Sequence, residues 1–253
     1  MKTLLDYPGI VLVVSFLLLW FAALLGAYIR KRSQQLDPDS REDFGVVQAA
    51  ILTLLGLLIG FTFSMAVNRY DQRKNYEEAE ANAIGTEFLR VELLPSADAD
   101  KLQELLRAYL KQRVLFYTTR DAEQSRQIDA RTVSLQNDLW SVLRARAVAA
   151  PSPTIALVVS GMNDVLNSQG YTQAAWWYRI PIQAWNLMAL IAFACNLLIG
   201  YGTRRNHFVL LLIVPVAVSI SFFLIADIDS PNGGLIHVVP QNLMSLDASL
   251  APH

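Results

Sequence analysis

The chain has 253 residues, a formal net charge of −1, one cysteine and three histidines, so no basic surface points to nucleic acid and no cysteine- or histidine-rich metal site can be assembled. Hydrophobic residues make up 53% and charged residues 17%, against roughly 25% charged in soluble domains. With a mean hydropathy of +0.32, that balance indicates a membrane protein that carries a sizeable polar insert.

A bilayer core of about 30 Å asks for roughly 20 apolar residues of helix. Four stretches meet that demand: about Pro8 to Tyr28, Val46 to Val67, Ile182 to Tyr201 and Phe208 to Ala226. None of these cores contains Asp, Glu, Lys or Arg. A cleaved signal peptide is the alternative for the first, but its apolar region exceeds the usual length and Arg30, Lys31 and Arg32 follow directly. Trp176, Trp177, Tyr178 and Trp185 surround the start of the third span, as an interfacial aromatic belt would.

The spans divide the chain into a first pair (1–70), a polar segment (71–180), a second pair (181–226) and a C-terminal tail (227–253). In the polar segment apolar residues recur at helical spacing: Leu102, Leu105, Leu106, Tyr109, Leu110 and Val114; Leu135, Leu139, Val142 and Leu143; Ile155, Val158, Val159, Met162 and Val165. Pro95 breaks one helix, with Ser96 or Asp98 as the expected cap of the next; "APSPT" breaks another, with Ser152 or Thr154 as cap. The expectation is an all-α protein, four membrane helices flanking a bundle of three or four amphipathic ones. No Gly or Pro falls between Phe61 and Ile84, so the second span should run unbroken into the bundle.

Short-loop charge gives the orientation. Arg30, Lys31, Arg32 and Arg41 follow the first span, and Arg204 with Arg205 follow the third. Counted against Lys2, Arg69, Arg73, Lys74 and Arg179, they favour cytoplasmic short loops and an external bundle.

The sequence shows no nucleotide-binding glycine loop, no metalloprotease helix and no nucleophile elbow, which excludes the common enzyme classes and leaves no catalytic residue or cofactor to assign. Two polar stretches remain. "EEAEANAIGTE", Glu77 to Glu87, reads either as a solvated helix surface or as carboxylates lining the vestibule of an oligomer. "ADIDSPNGG", Ala226 to Gly234, reads as a turn capped by Asp229, or as a cation site of Asp227, Asp229 and Asn232. Among the spans, the second best suits a pore. It spaces Thr53, Gly60 and Ser64 with bulky Leu57 and Phe61, and apolar rings can gate a pore by dewetting.

"GFTFSMAVNRYDQRKN" (Gly60 to Asn75) resembles the second membrane segment of bestrophins at Gly60, Phe61, Ser64, Val67, Arg69 and Tyr70. "DIDSPNGG" is similar to the Asn-Pro-Phe-Gly stretch after their last span, and "EEAEANAIGTEFLR" with "DIDSP" matches landmarks of the bacterial bestrophin-like family over most of the chain. The resemblance implies a homo-oligomeric ion channel of the bacterial inner membrane, a pentamer by analogy, whose partners are its own copies, lipids and small inorganic ions. It implies a pore lined by the second span (Thr53, Leu57, Gly60, Phe61 and Ser64), with neck positions at Thr53, Leu57 and Phe61. Thr53 departs from the bulky apolar group expected at its level, and the calcium clasp of animal members does not transfer, since "GLIHVV" follows the turn. Arg69, Glu77 and Glu80 are expected at the pore mouth. The resemblance also implies a cytoplasmic bundle, opposite to the charge count. The rival function is a non-conducting membrane scaffold or sensor that binds a partner through the bundle.

Overall fold

The computed structural model describes residues 4–32, 38–203, 208–231 and 233–251. Among them all regular structure is helical: α1 (Pro8–Arg32), α2 (Pro38–Arg90), α3 (Ser96–Thr118), α4 (Ala122–Ala149), α5 (Pro153–Trp177), α6 (Ile182–Gly202), α7 (Phe208–Asp229) and α8 (Gln241–Ser249). The chain forms two compact units, Met1–Tyr70 with Arg179–His237, and Asp71–Tyr178 with Val238–His253.

The first unit holds the apolar helices, and four helices of the chain are long and apolar enough to cross a membrane. In α1 one stripe, Leu19, Ala22 and Ala23, is buried against α6 and α7. Small residues set the distance between α1 and α6. A Cβ on Gly26 would lie 2.0 Å from the Leu197 carbonyl oxygen, and one on Gly200 would lie 1.9 Å from that of Ala23. Lipid is as apolar as leucine, so such close backbone approach is what drives helices together in a bilayer. The first span is therefore built into the core of its unit. Leu55 and Ala66 of α2 join Met188, Ala192 and Cys195 of α6 and Phe222 and Ile225 of α7 in that core.

The second unit is a bundle of the outer part of α2 with α3, α4, α5 and α8. Most of the predicted apolar stripes form its centre: Leu102, Leu106, Leu110, Leu135, Leu139, Leu143, Val158 and Met162 are fully buried, whereas Leu105, Val114, Val142 and Val159 lie at its edge, only partly buried. The helix breaks follow local chemistry. Asp121 caps α4, its side chain accepting from the amides of Glu123 and Gln124, and Ser152 caps α5 by accepting from Ile155 N. Neither Ser96 nor Asp98 caps α3: Pro95 holds the cap position without a side-chain bond, and its carbonyl accepts from Asp98 N and Ala99 N. The predicted unbroken second span is observed, since α2 is 53 residues of continuous helix.

Two expectations are revised. The C-terminal segment is not a single tail: α7 runs to Asp229, whereas α8 docks in the bundle on α3 with Leu243 fully buried. The aromatic belt divides as well. Trp177 and Tyr178 are exposed as an interface requires, but Trp176 packs edge-on against Tyr117 with ring centroids 4.9 Å apart, and Trp185 packs against Phe222 at 5.9 Å. A buried ring gains more from packing than from a headgroup contact, so position in the sequence alone did not fix the role.

Candidate functional site

At about 100° per residue, Thr53, Leu57, Gly60, Phe61 and Ser64 fall within an arc of about 100° on one side of α2. All five are exposed in the chain, Leu57 by 53% and Phe61 by 62%. The opposite side carries Leu55, Thr62 and Ala66, which are buried. Two hydroxyls on this helix are spent on its own backbone: Thr53 and Thr62 each donate to the carbonyl four residues earlier, Ala49 and Leu58. The unit thus leaves an apolar face bearing two bulky side chains one turn apart. Continued along the helix, the same arc carries Asn68, Asp71, Asn75 and Glu78, all exposed. Arg69 lies about 130° from the centre of the arc and is half-buried.

The acidic stretch behaves differently from both of its sequence readings. Glu77 and Glu80 are 1% and 0% exposed, so they neither form a solvated surface nor offer free carboxylates to a pore mouth. Their register explains it, because both continue the side of α2 that bears Leu55 and Ala66. Glu80 is ion-paired with Arg113, also fully buried, and accepts from Thr172 Oγ1 at 3.1 Å and Tyr117 OH at 3.4 Å. The Arg113 guanidinium lies over the Phe116 ring, 4.4 Å from its centre. Burial, and then the Glu80 charge, push the Tyr117 phenol upward, so it stays protonated and serves as a donor. Glu77 holds α8 by accepting from Asn242 Nδ2 at 2.7 Å and Leu243 N at 2.9 Å. Charge-assisted bonds of this kind are among the stronger ones a fold can make.

Glu87 is the exception. It is 0% exposed and neither carboxyl oxygen has a hydrogen-bond partner among the described residues. Its Oε2 sits against Gly161 of α5, where a Cβ would come within 1.9 Å of it. Burial pushes its carboxyl up to about 8; Arg90, 4.0 Å away, opposes the rise and Asp164 adds to it. A group kept neutral in this way is what an unpaired buried carboxyl requires.

At the other candidate stretch, both aspartates serve the fold. Asp227 accepts from the amides of Leu235 and Ile236 at 2.7 and 2.8 Å, closing the turn after α7. Asp229 accepts from Arg179 Nε at 3.0 Å and from Ile180 N at 3.3 Å, just before α6. Arg179 also reaches Asp6 at 2.9 Å. Asn232 lies outside the described residues. Among those residues no group of three or more His, Cys, Asp or Glu side chains could hold a metal ion. The expected turn capped by Asp229 is not the arrangement observed: its carboxylate goes to Arg179 and Ile180, and the turn is bonded through Asp227 and Ser230. Nothing local links Arg179 to residues 173 and 50 positions away.

The fold and this helix define a class: a four-span membrane protein with a helical bundle and an outward-facing apolar side on α2. The chain belongs to the bestrophin-like domain family, which it matches over residues 16–243. No curated protein matches the sequence. Among solved structures it is similar to a point variant of a bacterial bestrophin homologue from Klebsiella pneumoniae, at TM-score 0.64 and 12% identity over 96% of this chain and 97% of that one. A second structure of a bacterial bestrophin homologue from the same organism matches at TM-score 0.61 and 13% identity over 94% and 97%. A membrane-protein variant matches at 0.64 and 13% over 94% and 95%. Likeness at this identity establishes the shared fold.

Proposed function

We propose that the protein is a homo-oligomeric ion channel of the bacterial inner membrane, with the exposed side of α2 facing a pore on the symmetry axis. The observation that carries the reading is the pairing of Leu57 and Phe61, each more than half exposed on a helix whose other side is packed. Repeated around an axis, two apolar rings one turn apart would form a dewetting constriction. Membership of the bestrophin-like family supports the same reading. No enzymatic function is proposed.

The mouth differs from the sequence expectation. Glu77 and Glu80 are consumed within the bundle and Arg69 is turned aside, so the charges left on the pore-facing arc are Asp71 and Glu78. Rings of carboxylates concentrate cations, which makes cations the proposed cargo. Flux of sodium, potassium and chloride through liposomes holding purified protein tests this. Cation flux whose selectivity falls in Asp71→Asn with Glu78→Gln supports the assignment; selective chloride flux contradicts it.

A scaffold that binds a partner through the bundle is favoured by one feature, a groove of about 790 Å³ between α2 and α8 lined by Asn82, Thr86 and Arg90. It predicts a monomer or dimer in detergent, where the channel predicts a larger symmetric oligomer. The side of the membrane the bundle occupies is read by a single cysteine at exposed Val148 with an impermeant thiol reagent in intact cells, the native Cys195 being buried.

A further inference from the structure

The groove of about 790 Å³ between α2 and α8 lies within the second unit, and two of its lining residues, Leu89 and Leu93, are more than half exposed. Leu89 falls on the arc of α2 that bears Leu57 and Phe61. The helices beside α2 stand on opposite flanks of that arc. Glu77 and Gly85, which meet α8 at Asn242 and Leu246, lie on average about 100° to one side. Glu87 and Arg90, which meet α5 at Gly161, lie on average about 100° to the other.

The two flanks carry side chains in the same order. On one, α5 runs antiparallel to α2, since Thr172 bonds Glu80 and Gly161 sits against Glu87. Tyr171 lies at the level of Glu80, Ser160 and Asp164 near that of Glu87, and Leu157, about 6 Å beyond Gly161, near that of Leu93. All four are exposed. On the other flank α8 runs parallel to α2, with Leu243 bonded to Glu77 and Leu246 packed on Gly85. Met244 is exposed at the first level, Ser245 and Ser249 are exposed further along, and Leu250 lines the far end with Leu93. Each flank therefore runs apolar, polar, apolar.

Their charges are complementary. Arg90 is tucked against α5: its Nη1 would lie 2.4 Å from a Cβ on Gly161, and Glu87, 4.0 Å away, is held neutral by its burial. Glu92, two residues on, is exposed and accepts from Gln103 of α3 at 3.1 Å. That is the α8 flank, since Arg107 of α3 donates to the Leu250 carbonyl.

We infer that the groove seats a second copy of this chain, through the outer face of that copy's α5. The inference rests on the channel reading: with the arc turned to a symmetry axis, the α8 flank of one copy faces the α5 flank of the next. Rotation about an axis along α2 keeps each residue at its level, so apolar ends meet apolar ends. Leu157 closes on Leu93 and Leu250 of the next copy, Tyr171 on Met244, and the Ser245 hydroxyl donates to Asp164. Arg90 pairs with Glu92 across the contact. Unlike faces joined head to tail close into a ring.

Cysteine cross-linking of the full chain in mild detergent tests the contact, with native mass measured in parallel. Ser160→Cys and Ser249→Cys are small changes at exposed positions of about the same level, and the native Cys195 is buried. The chain carrying both, treated with a short bifunctional thiol reagent, should give a ladder of covalent oligomers. Each single variant should stay uncross-linked, and the two co-expressed should give only the mixed dimer. Glu92→Arg, which sets two arginines together, should lower the oligomeric fraction about tenfold, and adding Arg90→Glu should restore it. Absence of the ladder from a chain whose native mass is oligomeric overturns the contact and leaves the channel reading standing. A covalent dimer from either single variant, or no rescue by the second charge reversal, overturns the contact as well. A monomeric native mass overturns both.

Discussion

The two halves of α2 solve opposite problems with one helix register. In the first unit its inner side carries Leu55, Thr62 and Ala66; in the second the same side carries Glu77, Glu80, Ile84 and Glu87, every one buried. The outer side shows Leu57 and Phe61 in the first unit and Asp71 and Glu78 in the second, all exposed. In the first unit bulky apolar side chains are left on the outside, and the inside is packed through Leu55, Thr62 and Ala66. In the second, three carboxylates turn inward, and Glu77 and Glu80 are met there by named partners. Polarity therefore does not tell inside from outside along this helix; the 3.6-residue period does.

The largest effect expected from disturbing that arrangement is at Glu80. Glu80→Ala leaves Arg113 buried without its counter-charge and should cost about 3–5 kcal/mol, read as a collapse of thermal stability in detergent. Replacing both residues, Glu80→Leu with Arg113→Met, should recover much of that loss, because a packed apolar pair needs no counter-charge.

Glu87 gives the next effect, and its sign follows from its position. The folded chain keeps the proton up to about pH 8, whereas the unfolded chain releases it near 4.5. Between those values the folded state binds more protons, so stability falls as pH rises across the window and flattens above it. Glu87→Gln should remove this slope, so the difference in melting temperature between pH 5 and pH 8.5 shrinks relative to the native chain. A slope that persists unchanged assigns it to another group.

Glu77→Ala removes two bonds that hold α8, at a cost of about 1–3 kcal/mol. Hydrogen exchange should rise over Gln241–Ser249 before it rises in α3 or α4, as local opening precedes global unfolding. The smallest stability effects belong to the outer side: Leu57→Ala and Phe61→Ala should each shift stability by no more than about 0.5 kcal/mol, since neither fills a core.

The sequence made the membrane helices, the bundle stripes and the continuity of α2 legible, because each rests on a local signal: apolar length, helical period, absence of breakers. Ser152 was legible as a cap for the same reason. What stayed hidden was pairing at long range. Nothing near Glu77 announces Asn242, nothing near Glu80 announces Arg113 and Thr172, and α8 looks like a tail until Leu243 is seen in the bundle. One revision was within reach: carrying the register of Phe61 forward selects Asp71 and Glu78 and turns Arg69, Glu77 and Glu80 away. Counting charges near the span end, without their angle on the helix, picked Glu77 and Glu80, which the bundle buries.

The central claim is that the outer side of α2 lines an ion pathway narrowed at Leu57 and Phe61. Planar-bilayer recording of the purified native chain beside Leu57→Ala and Phe61→Ala tests it most directly. The account predicts unitary currents in the native protein and several-fold larger ones in both variants, with folding unchanged. Silence from all three proteins in every common ion, or currents that neither substitution alters, would contradict it.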